Sequence, residues 1–213
     1  WTDLVDYVTR IRAIIPNTHI LVDIDDGFGD ENIAVNIVKR LEIAGASAIM
    51  MEDQKRPKKC GHLDGKSIVP LKDYLRKLET ILELCSTMFV LARTDATNFN
   101  KGIERVKAFV DLGADAVMIE GLTCIDDVKR IHDVAGDTPI AVNLIKGGKT
   151  PLTNLSTLQE LGASIAIYST PCLFSAQKSI VNMLNELSKN DGILSKEIKQ
   201  VLNSGSALKR IKK

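Results

Sequence analysis

Short runs rich in valine, isoleucine and alanine recur along the chain, and each is followed by a stretch with apolar residues at i, i+3 and i+4. Such runs predict buried strands, and the periodicity after them predicts amphipathic helices. We predict six strands, at residues 19–25, 47–52, 89–94, 115–120, 139–143 and 164–168. Helices are predicted at 1–14, 31–45, 71–85, 102–113, 125–136 and 155–162. This alternation predicts a parallel sheet covered by helices.

Polar residues at the ends of these strands discriminate between two α/β architectures. They are Asp23, Asp25, Glu52, Asp53, Arg93, Asp95, Glu120 and Asn143. A (β/α)8 barrel collects such side chains from successive strands at one mouth, whereas an open doubly wound sheet concentrates them at one switch point. The sequence therefore predicts an α/β fold of the (β/α)8 TIM-barrel type. Because only six of the eight strands are visible, we expect either that two strand–helix units precede Trp1 or that the barrel is incomplete.

Composition excludes several classes of protein. The 28 Lys and Arg against 27 Asp and Glu give no basic surface for nucleic acid. The apolar runs are too short to span a membrane, and no signal peptide is visible at the start of the chain. The four cysteines are scattered without CxxC spacing, which favours a reduced, cytoplasmic setting over a disulfide framework.

Two acids in the segment LVDIDDGFGD are candidates for a metal site. Asp23 and Asp25 lie two apart, so on a strand their side chains share one face. Carboxylates on one buried face repel unless a cation lies between them, and oxygen ligands favour Mg²⁺ or a similar hard ion. Glu52 ends the neighbouring strand and can reach the same ion. The alternative is an acidic turn in which Asp26 shapes the turn and Asp30 caps the next helix.

The segment PKKCGH is the second candidate. Cys60 is flanked by Lys58, Lys59 and His62, and cations near a thiol stabilise its thiolate. Such a thiol can act as a nucleophile or donate a proton to a developing carbanion. Gly61 allows the backbone to approach a ligand closely.

Further polar groups complete the predicted mouth. Arg93 can hold a carboxylate or keto oxygen with its fork of donors, or it can pair with Glu52 or Glu120 within the barrel. Asn143 suggests a polar floor, and the loop at 144–151 offers backbone N–H groups and lysines to an anionic group.

Taken together, DxDxGFG, EDQxxPKKCGH, ARTDA, GADAxxxE and GGKTP resemble the isocitrate lyase/phosphoenolpyruvate mutase superfamily. The resemblance spans residues 2–187, and EDQ together with KKCGH is its most specific part. It implies a barrel of the phosphoenolpyruvate mutase type, a Mg²⁺ ion that Mn²⁺ could replace, and the enolate of a small 2-oxo acid as intermediate. It also implies a homotetramer whose last helices swap between subunits, and further site residues on two strands that precede this segment.

Residue by residue, the resemblance assigns roles to positions of this chain. Asp23, Asp25 and Glu52 match metal-site acids, Lys58 an active-site lysine, Cys60 the catalytic thiol and Arg93 the arginine that holds the substrate, while Glu120 and Asn143 match pocket residues. We also expect Gly61 in substrate binding and His62 in steering the thiol. Asp26, where many members have threonine, and the pair Lys55–Arg56 depart from the family pattern.

The branch of the superfamily decides the reaction. Phosphoenolpyruvate mutases carry an asparagine where Cys60 stands, so Cys60 favours carbon–carbon lyases. The GGKTP loop resembles the 2-alkylmalate and 2-methylisocitrate lyase-like branch. We therefore expect a Mg²⁺-dependent lyase that cleaves a small anionic 2-hydroxy di- or tricarboxylate to a 2-oxo acid and a second carboxylate. Phosphonomutase chemistry on a P–C bond, as in carboxyphosphonoenolpyruvate phosphonomutases, and a degenerate, non-catalytic member are the alternatives. We expect a barrel domain at 1–188 and a C-terminal helix and tail at 189–213, and the resemblance implies that this last segment swaps with a neighbouring subunit.

Overall fold

A computed structural model describes residues 1–85 and 87–194. Its strands are β1 (Leu21–Asp23), β2 (Ala48–Glu52), β3 (Phe89–Thr94), β4 (Ala116–Ile119), β5 (Ala141–Asn143) and β6 (Ile165–Ile167). Its helices are α1 (Thr2–Ile14), α2 (Glu31–Ala44), α3 (Leu71–Leu84), α4 (Phe99–Asp111), α5 (Asp127–Ala135), α6 (Leu155–Glu160) and α7 (Pro171–Lys189). All six predicted strands and the first six predicted helices are therefore confirmed, and α7 is additional. The helix predicted within residues 189–213 falls mostly outside the described residues.

The strands are parallel and follow one another in chain order. β1, β2, β3 and β4 form one ladder, β5 and β6 form a second, and a parallel bridge between Val117 and Ile140 joins the two. A doubly wound sheet would reverse this order at its switch point, whereas a barrel wall does not. Within the described residues β1 pairs only with β2, and β6 only with β5.

Two apolar layers lie on opposite faces of the strands. The larger fills the space between strands and helices and includes Ile49, Leu78 and Phe109. The smaller lies on the inner face and consists of Met50, Leu91, Ala116, Met118 and Ala141. Since successive side chains of a strand point to opposite faces, each central strand is apolar on both sides. This explains why the strands appear as continuous apolar runs.

Capping residues set the helix boundaries more closely than periodicity does. Asp30 accepts a hydrogen bond from the Ile33 N–H at 2.9 Å, as predicted, and caps α2. Asn98 does the same for the Lys101 N–H, so α4 begins at Phe99 and not at the predicted residue 102.

The chain divides into a unit from Trp1 to Tyr168 and a second unit that begins at Ser169. The described part of the second unit is α7, a helix with exposed apolar side chains that include Leu173, Phe174 and Leu184. The predicted domain boundary at residue 188 stays a prediction, and the tail from residue 195 lies outside the described residues. No helix in the described part of the chain has the length and apolar character needed to cross a membrane.

Candidate active site

Four polar side chains meet at the carboxyl ends of β2 to β5 because each lies two residues after an inward-facing apolar one. Met50 is followed by Glu52, Leu91 by Arg93, Met118 by Glu120 and Ala141 by Asn143. Residues i and i+2 of a strand share a face, so all four follow the inner layer upward to the mouth. Glu52 and Arg93 are also register partners. The predicted convergence of these residues is thus present in the structure.

Arg93 is the centre of a buried ion-pair cluster. Its Nε and Nη2 donate to the Asp95 carboxylate at 2.8 and 3.1 Å. Its Nη2 also lies 3.1 Å from Glu52 Oε2, and its Nη1 lies 3.5 Å from Glu120 Oε2. Burial alone lowers the pKa of an arginine, but Asp95, Glu120 and Glu52 together raise the pKa of Arg93. The pairing of Arg93 with Glu52 and Glu120, which the sequence left open, is confirmed.

The first predicted metal acid, Asp23, is the last residue of β1 and is exposed, whereas Asp25 follows the strand in a turn with φ of 52°. The expectation that both lie on one face of one strand is therefore wrong. β1 ends two residues earlier than predicted, because the Asp23 side chain accepts the Asp25 N–H at 2.9 Å and starts the turn. Asp25 still reaches the mouth, where its carboxylate contacts the Lys58 ammonium.

Glu52 is fully buried, and both of its carboxylate oxygens lack a hydrogen-bond partner among the described residues. Its Oε1 lies 3.2 Å from Lys58 Nζ and its Oε2 lies 3.1 Å from Arg93 Nη2, yet neither oxygen has a partner with hydrogen-bond geometry. Burial raises the pKa of Glu52 to about 7, against the opposing effect of Arg93. A buried carboxylate in this state is a ready acceptor for an additional cation.

The composition of this side of the mouth fits a hard divalent cation. Three carboxylates, Asp23, Asp25 and Glu52, face the single ammonium group of Lys58, so negative charge is in excess. Oxygen donors are what Mg²⁺ prefers, and it usually keeps several water ligands. Within residues 1–85 and 87–194, no three His, Cys, Asp or Glu side chains are close enough together to hold an ion. The donor types on this side therefore suit a hard cation, but the described side chains do not form a ready three-ligand site.

The loop between β2 and α3 packs Gly61 against the cluster, and Cys60 directly precedes it in the chain. Cys60 is exposed. A Cβ atom on Gly61 would overlap the Glu120 side chain and lie 2.7 Å from Arg93 Nη2 and 2.9 Å from Asp95 Oδ1. Only a glycine permits this approach to the site residues, and the predicted approach of the Gly61 backbone to a ligand stays a prediction.

His62 lies between two other parts of the mouth. Its Nδ1 accepts the Lys149 N–H at 2.8 Å, and its Nε2 lies 2.6 Å from Glu120 Oε1. A nitrogen that accepts a hydrogen bond carries no proton, so the neutral ring is protonated at Nε2 and faces a carboxylate. Lys58 thus contacts the carboxylates of Asp25 and Glu52 on one side of the mouth, and His62 contacts the carboxylate of Glu120 on the other.

The sequence placed Asp95 and Asp53 at strand ends without a role, and it did not indicate their buried partners Lys66 and Arg105. Asp95 binds Arg93 with both oxygens, and it receives the Lys66 ammonium at 3.0 Å. Asp53 accepts the Asp95 N–H at 2.9 Å and the Arg105 guanidinium at 2.8 Å. The i, i+2 spacing of Arg93 and Asp95 was the available signal for Asp95. Nothing local indicates Lys66 or Arg105, because their partners are 29 and 52 residues away.

Three comparisons with known proteins agree with this geometry. The family model for phosphoenolpyruvate phosphomutase matches residues 1–188. The petal death protein of Dianthus caryophyllus is 33% identical over 88% of this chain and 60% of its own length. The 2,3-dimethylmalate lyase of Eubacterium barkeri is 32% identical over 88% of this chain and 67% of its own. A crystal structure of 2,3-dimethylmalate lyase, described as a member of the PEP mutase/isocitrate lyase superfamily, superposes with a TM-score of 0.88 at 25% identity over 99% of this chain and 71% of that chain.

The structural likeness confirms the predicted α/β TIM-barrel fold class of the phosphoenolpyruvate mutase type. The chain spans 60% and 67% of the length of these two curated relatives. The two strand–helix units expected before Trp1 stay a prediction.

Proposed function

Because the chain belongs to the phosphoenolpyruvate phosphomutase family, we propose that it is a Mg²⁺-dependent carbon–carbon lyase. Its substrate is a 2-hydroxy di- or tricarboxylate of the 2-alkylmalate or 2-methylisocitrate type, and its products are a 2-oxo acid and a second carboxylate. One observation carries the proposal: the exposed Cys60 thiol lies next to Gly61, which packs directly on the Arg93–Asp95–Glu120 cluster. A proton donor therefore adjoins a site built to hold anionic groups.

The charged side chains would divide the substrate between them. Asp23, Asp25 and Glu52 would hold the ion largely through water, and the ion when bound supplies a positive charge that stabilises negative charge developing on the substrate. Arg93 would bind the carboxylate of the 2-oxo acid portion. Its Nη1, at 3.5 Å from Glu120 Oε2, makes the longest of its ion-pair contacts and is the donor best placed to turn toward a ligand.

Protons balance in one cycle. A base takes the proton of the 2-hydroxyl group, the electron pair of the breaking C–C bond moves to the enolate, and the Cys60 thiol gives its proton to the enolate carbon. The thiolate then regains a proton, which replaces the one lost by the hydroxyl group. Asn143 donates to both oxygens of Glu120 at 3.4 and 3.3 Å and so keeps that carboxylate oriented beside Arg93 and His62.

The test is cleavage of 2-alkylmalates and 2-methylisocitrate by the 213-residue chain with Mg²⁺, detected by 2-oxo acid release. We expect Cys60→Ser to lower kcat by about 10² to 10⁴, the usual contribution of a positioned proton donor. Cys124→Ser, at another exposed thiol, is the matched control and should leave kcat unchanged. Near-full turnover by Cys60→Ser would contradict the assigned role.

Phosphorus chemistry is the second candidate, because the matching family model describes a phosphomutase. Incubation with phosphonopyruvate, followed by phosphorus NMR, distinguishes it from C–C cleavage. If the chain folds but turns over neither kind of substrate, it is a degenerate, non-catalytic member of the family. The homotetramer, the exchange of the C-terminal segment at 189–213 between subunits and the cytoplasmic location belong to the same proposal. The exposed apolar side chains of α7 and the four free cysteines support them. Light scattering tests the assembly.

A further inference from the structure

The turn that carries Asp25 has an unusual backbone. Asp25, Gly27 and Phe28 all have positive φ, at 52°, 85° and 61°. Residues other than glycine rarely adopt such angles; aspartate does so more readily than most, whereas a bulky residue such as Phe28 does so only when its surroundings impose it. The Asp25 carbonyl oxygen accepts the Glu52 N–H at 2.8 Å, and the conformation of the rest of the turn depends on the side-chain contacts that hold it.

Two cations hold the turn: both bind Asp26, and one of them also binds Gly29. From α3, Lys77 Nζ donates to the carbonyl oxygens of Asp26 at 2.7 Å and Gly29 at 2.6 Å. From the loop that carries Cys60, Arg56 donates from Nε and Nη2 to the two Asp26 carboxylate oxygens at 3.0 and 2.6 Å. The Arg56 guanidinium also lies 5.6 Å from the centroid of the Phe28 ring, within cation–π range.

Arg56 and Lys58 make adjacent contacts between the same two segments. Arg56 pairs with Asp26, while Lys58, two residues on, pairs with Asp25. The two ion pairs form a ladder between the turn at 24–29 and the loop at 55–63. Asp26 and Arg56, both of which depart from the family pattern, are partners in this chain.

We propose that Arg56 is a positioning residue that, through the fork of hydrogen bonds to Asp26, holds the Cys60 loop in register with the turn carrying Asp25. The ladder fixes Asp25 for the metal and Lys58 beside it, and so couples the metal side of the site to the loop bearing the thiol. Its role in turnover rests on the proposed function, whereas the coupling itself is a property of the turn and the loop.

The two possible roles of Arg56, as a nearby positive charge or as a positioning residue, predict opposite effects of Arg56→Met on metal binding. Arg56 acting only as a nearby positive charge would repel a divalent cation, so Arg56→Met would tighten binding and Arg56→Lys would leave it unchanged. A positioning Arg56 predicts weaker binding in both variants, because lysine keeps the charge but cannot make the bidentate contact. We expect Mn²⁺, titrated as a probe and followed by electron paramagnetic resonance, to bind about tenfold more weakly to each variant.

Hydrogen exchange provides a readout that needs neither metal nor substrate. We expect Arg56→Met to increase amide exchange in both segments, residues 24–29 and 55–63, with no change elsewhere in the first unit. Arg130→Met is the matched control, because Arg130 also combines an exposed ion pair, with Asp127 at 3.1 Å, and a cation–π contact, with Phe99 at 4.4 Å. It should change neither segment.

A charge exchange completes the test. Asp26→Arg combined with Arg56→Asp should recover Mn²⁺ affinity relative to either single variant, and kcat should follow the same order at saturating Mg²⁺. Tighter Mn²⁺ binding by Arg56→Met, or increased exchange in only one segment, would overturn the proposal. If the chain cleaves none of the substrates, the proposed function fails, while the exchange experiment still decides whether the ladder exists.

Discussion

The two sides of the mouth are built from the same residue types but differ in charge balance and burial. On one side, named here the carboxylate side, Asp23, Asp25 and Glu52 face Lys58, Glu52 also contacts Arg93 of the other side, and Asp23 is exposed. On the other, named the ion-paired side, Arg93, Lys66, Asp95 and Glu120 are all buried and in contact with opposite charges. The first side has negative charge in excess, whereas the second has two cations and two anions.

This difference indicates a division of labour within one site. A balanced, buried cluster is fixed by its own contacts, and removing one member leaves the others uncompensated. A side with excess carboxylates has its best state only with an added cation, so its geometry depends on the ligand. The structure thus predicts that the ion-paired side contributes more to folding stability, whereas the carboxylate side contributes more to cation binding.

The largest expected effect is on the ion-paired side. Arg93→Met removes the partner of three buried carboxylates and should lower the free energy of unfolding by about 3 to 5 kcal/mol. Lys58→Met is the matched variant on the carboxylate side. Its ion pair with Asp25 is about one third exposed, with 30% and 29% of the two side chains accessible, and its contact with the buried Glu52 at 3.2 Å lacks hydrogen-bond geometry. We therefore expect a loss of no more than about 1 kcal/mol.

Urea denaturation of the metal-free protein measures both variants. Equal losses for Arg93→Met and Lys58→Met would mean that the two sides do not differ in their contribution to folding.

Glu52 joins the two sides and makes the comparison dependent on pH. Its pKa is raised from 4.5 to about 7, chiefly by burial. Between these values the folded protein holds more protons than the unfolded chain, so stability is highest at low pH and falls as pH rises through this window. The loss reaches at most about 3 kcal/mol, given 1.36 kcal/mol per pKa unit.

Glu52→Gln should remove this loss, whereas the exposed Glu104→Gln should not. Unfolding curves of metal-free protein across the window test it, and an unchanged slope in Glu52→Gln would show that another group titrates.

The sequence predicted the positions that follow from local periodicity. The inward apolar layer and the polar residues two positions beyond it gave Glu52, Arg93, Glu120 and Asn143, because a strand alternates its faces over any short stretch. The six strands were predictable for the same reason.

The partners of these residues were not predictable. His62 contacts Lys149 across 87 positions and Lys66 contacts Asp95 across 29, so only the closed fold brings them together. Asp25 shows that a local sequence pattern can also give a wrong prediction. Its alternation with Asp23 predicted a shared strand face, but a hydrogen bond to the Asp23 side chain ends the strand and turns the backbone. A side-chain contact over two residues thus overrode a pattern that was otherwise correct.

A smaller effect is expected from Asp25→Asn, which tests the dependence of the carboxylate side on a ligand. Asparagine tolerates a positive φ, so the turn should persist while one negative charge is lost. Stability without metal should change little, but stabilisation by Mg²⁺ should fall by about 1.4 kcal/mol for each tenfold loss of affinity.

Asp30→Asn is the control for Asp25→Asn, because asparagine also caps a helix and Asp30 lies outside the carboxylate side. Thermal unfolding with and without Mg²⁺ measures both. Equal losses would indicate that the ion senses total charge and not the Asp25 position.

The smallest effect is expected at the rim, where Lys149 Nζ contacts Asp64 Oδ1 at 2.5 Å. This pair joins the Cys60 loop to the loop before α6, as the buried contact between His62 and the Lys149 N–H also does. The hydrogen bond from Lys149 lowers the pKa of Asp64, but the Asp64 side chain is 94% exposed, and salt screens such a pair. Asp64→Asn should therefore leave both the free energy of unfolding and kcat unchanged within error.

Gly148→Ala is the contrasting variant for the buried contact, because the added Cβ would overlap the His62 ring. It should displace that ring from Lys149 and Glu120 and lower kcat while Asp64→Asn does not. An equal loss of kcat in Asp64→Asn and Gly148→Ala would contradict this expectation. It would mean that the exposed Lys149–Asp64 pair contributes as much to the site as the buried His62 contacts, whatever their burial.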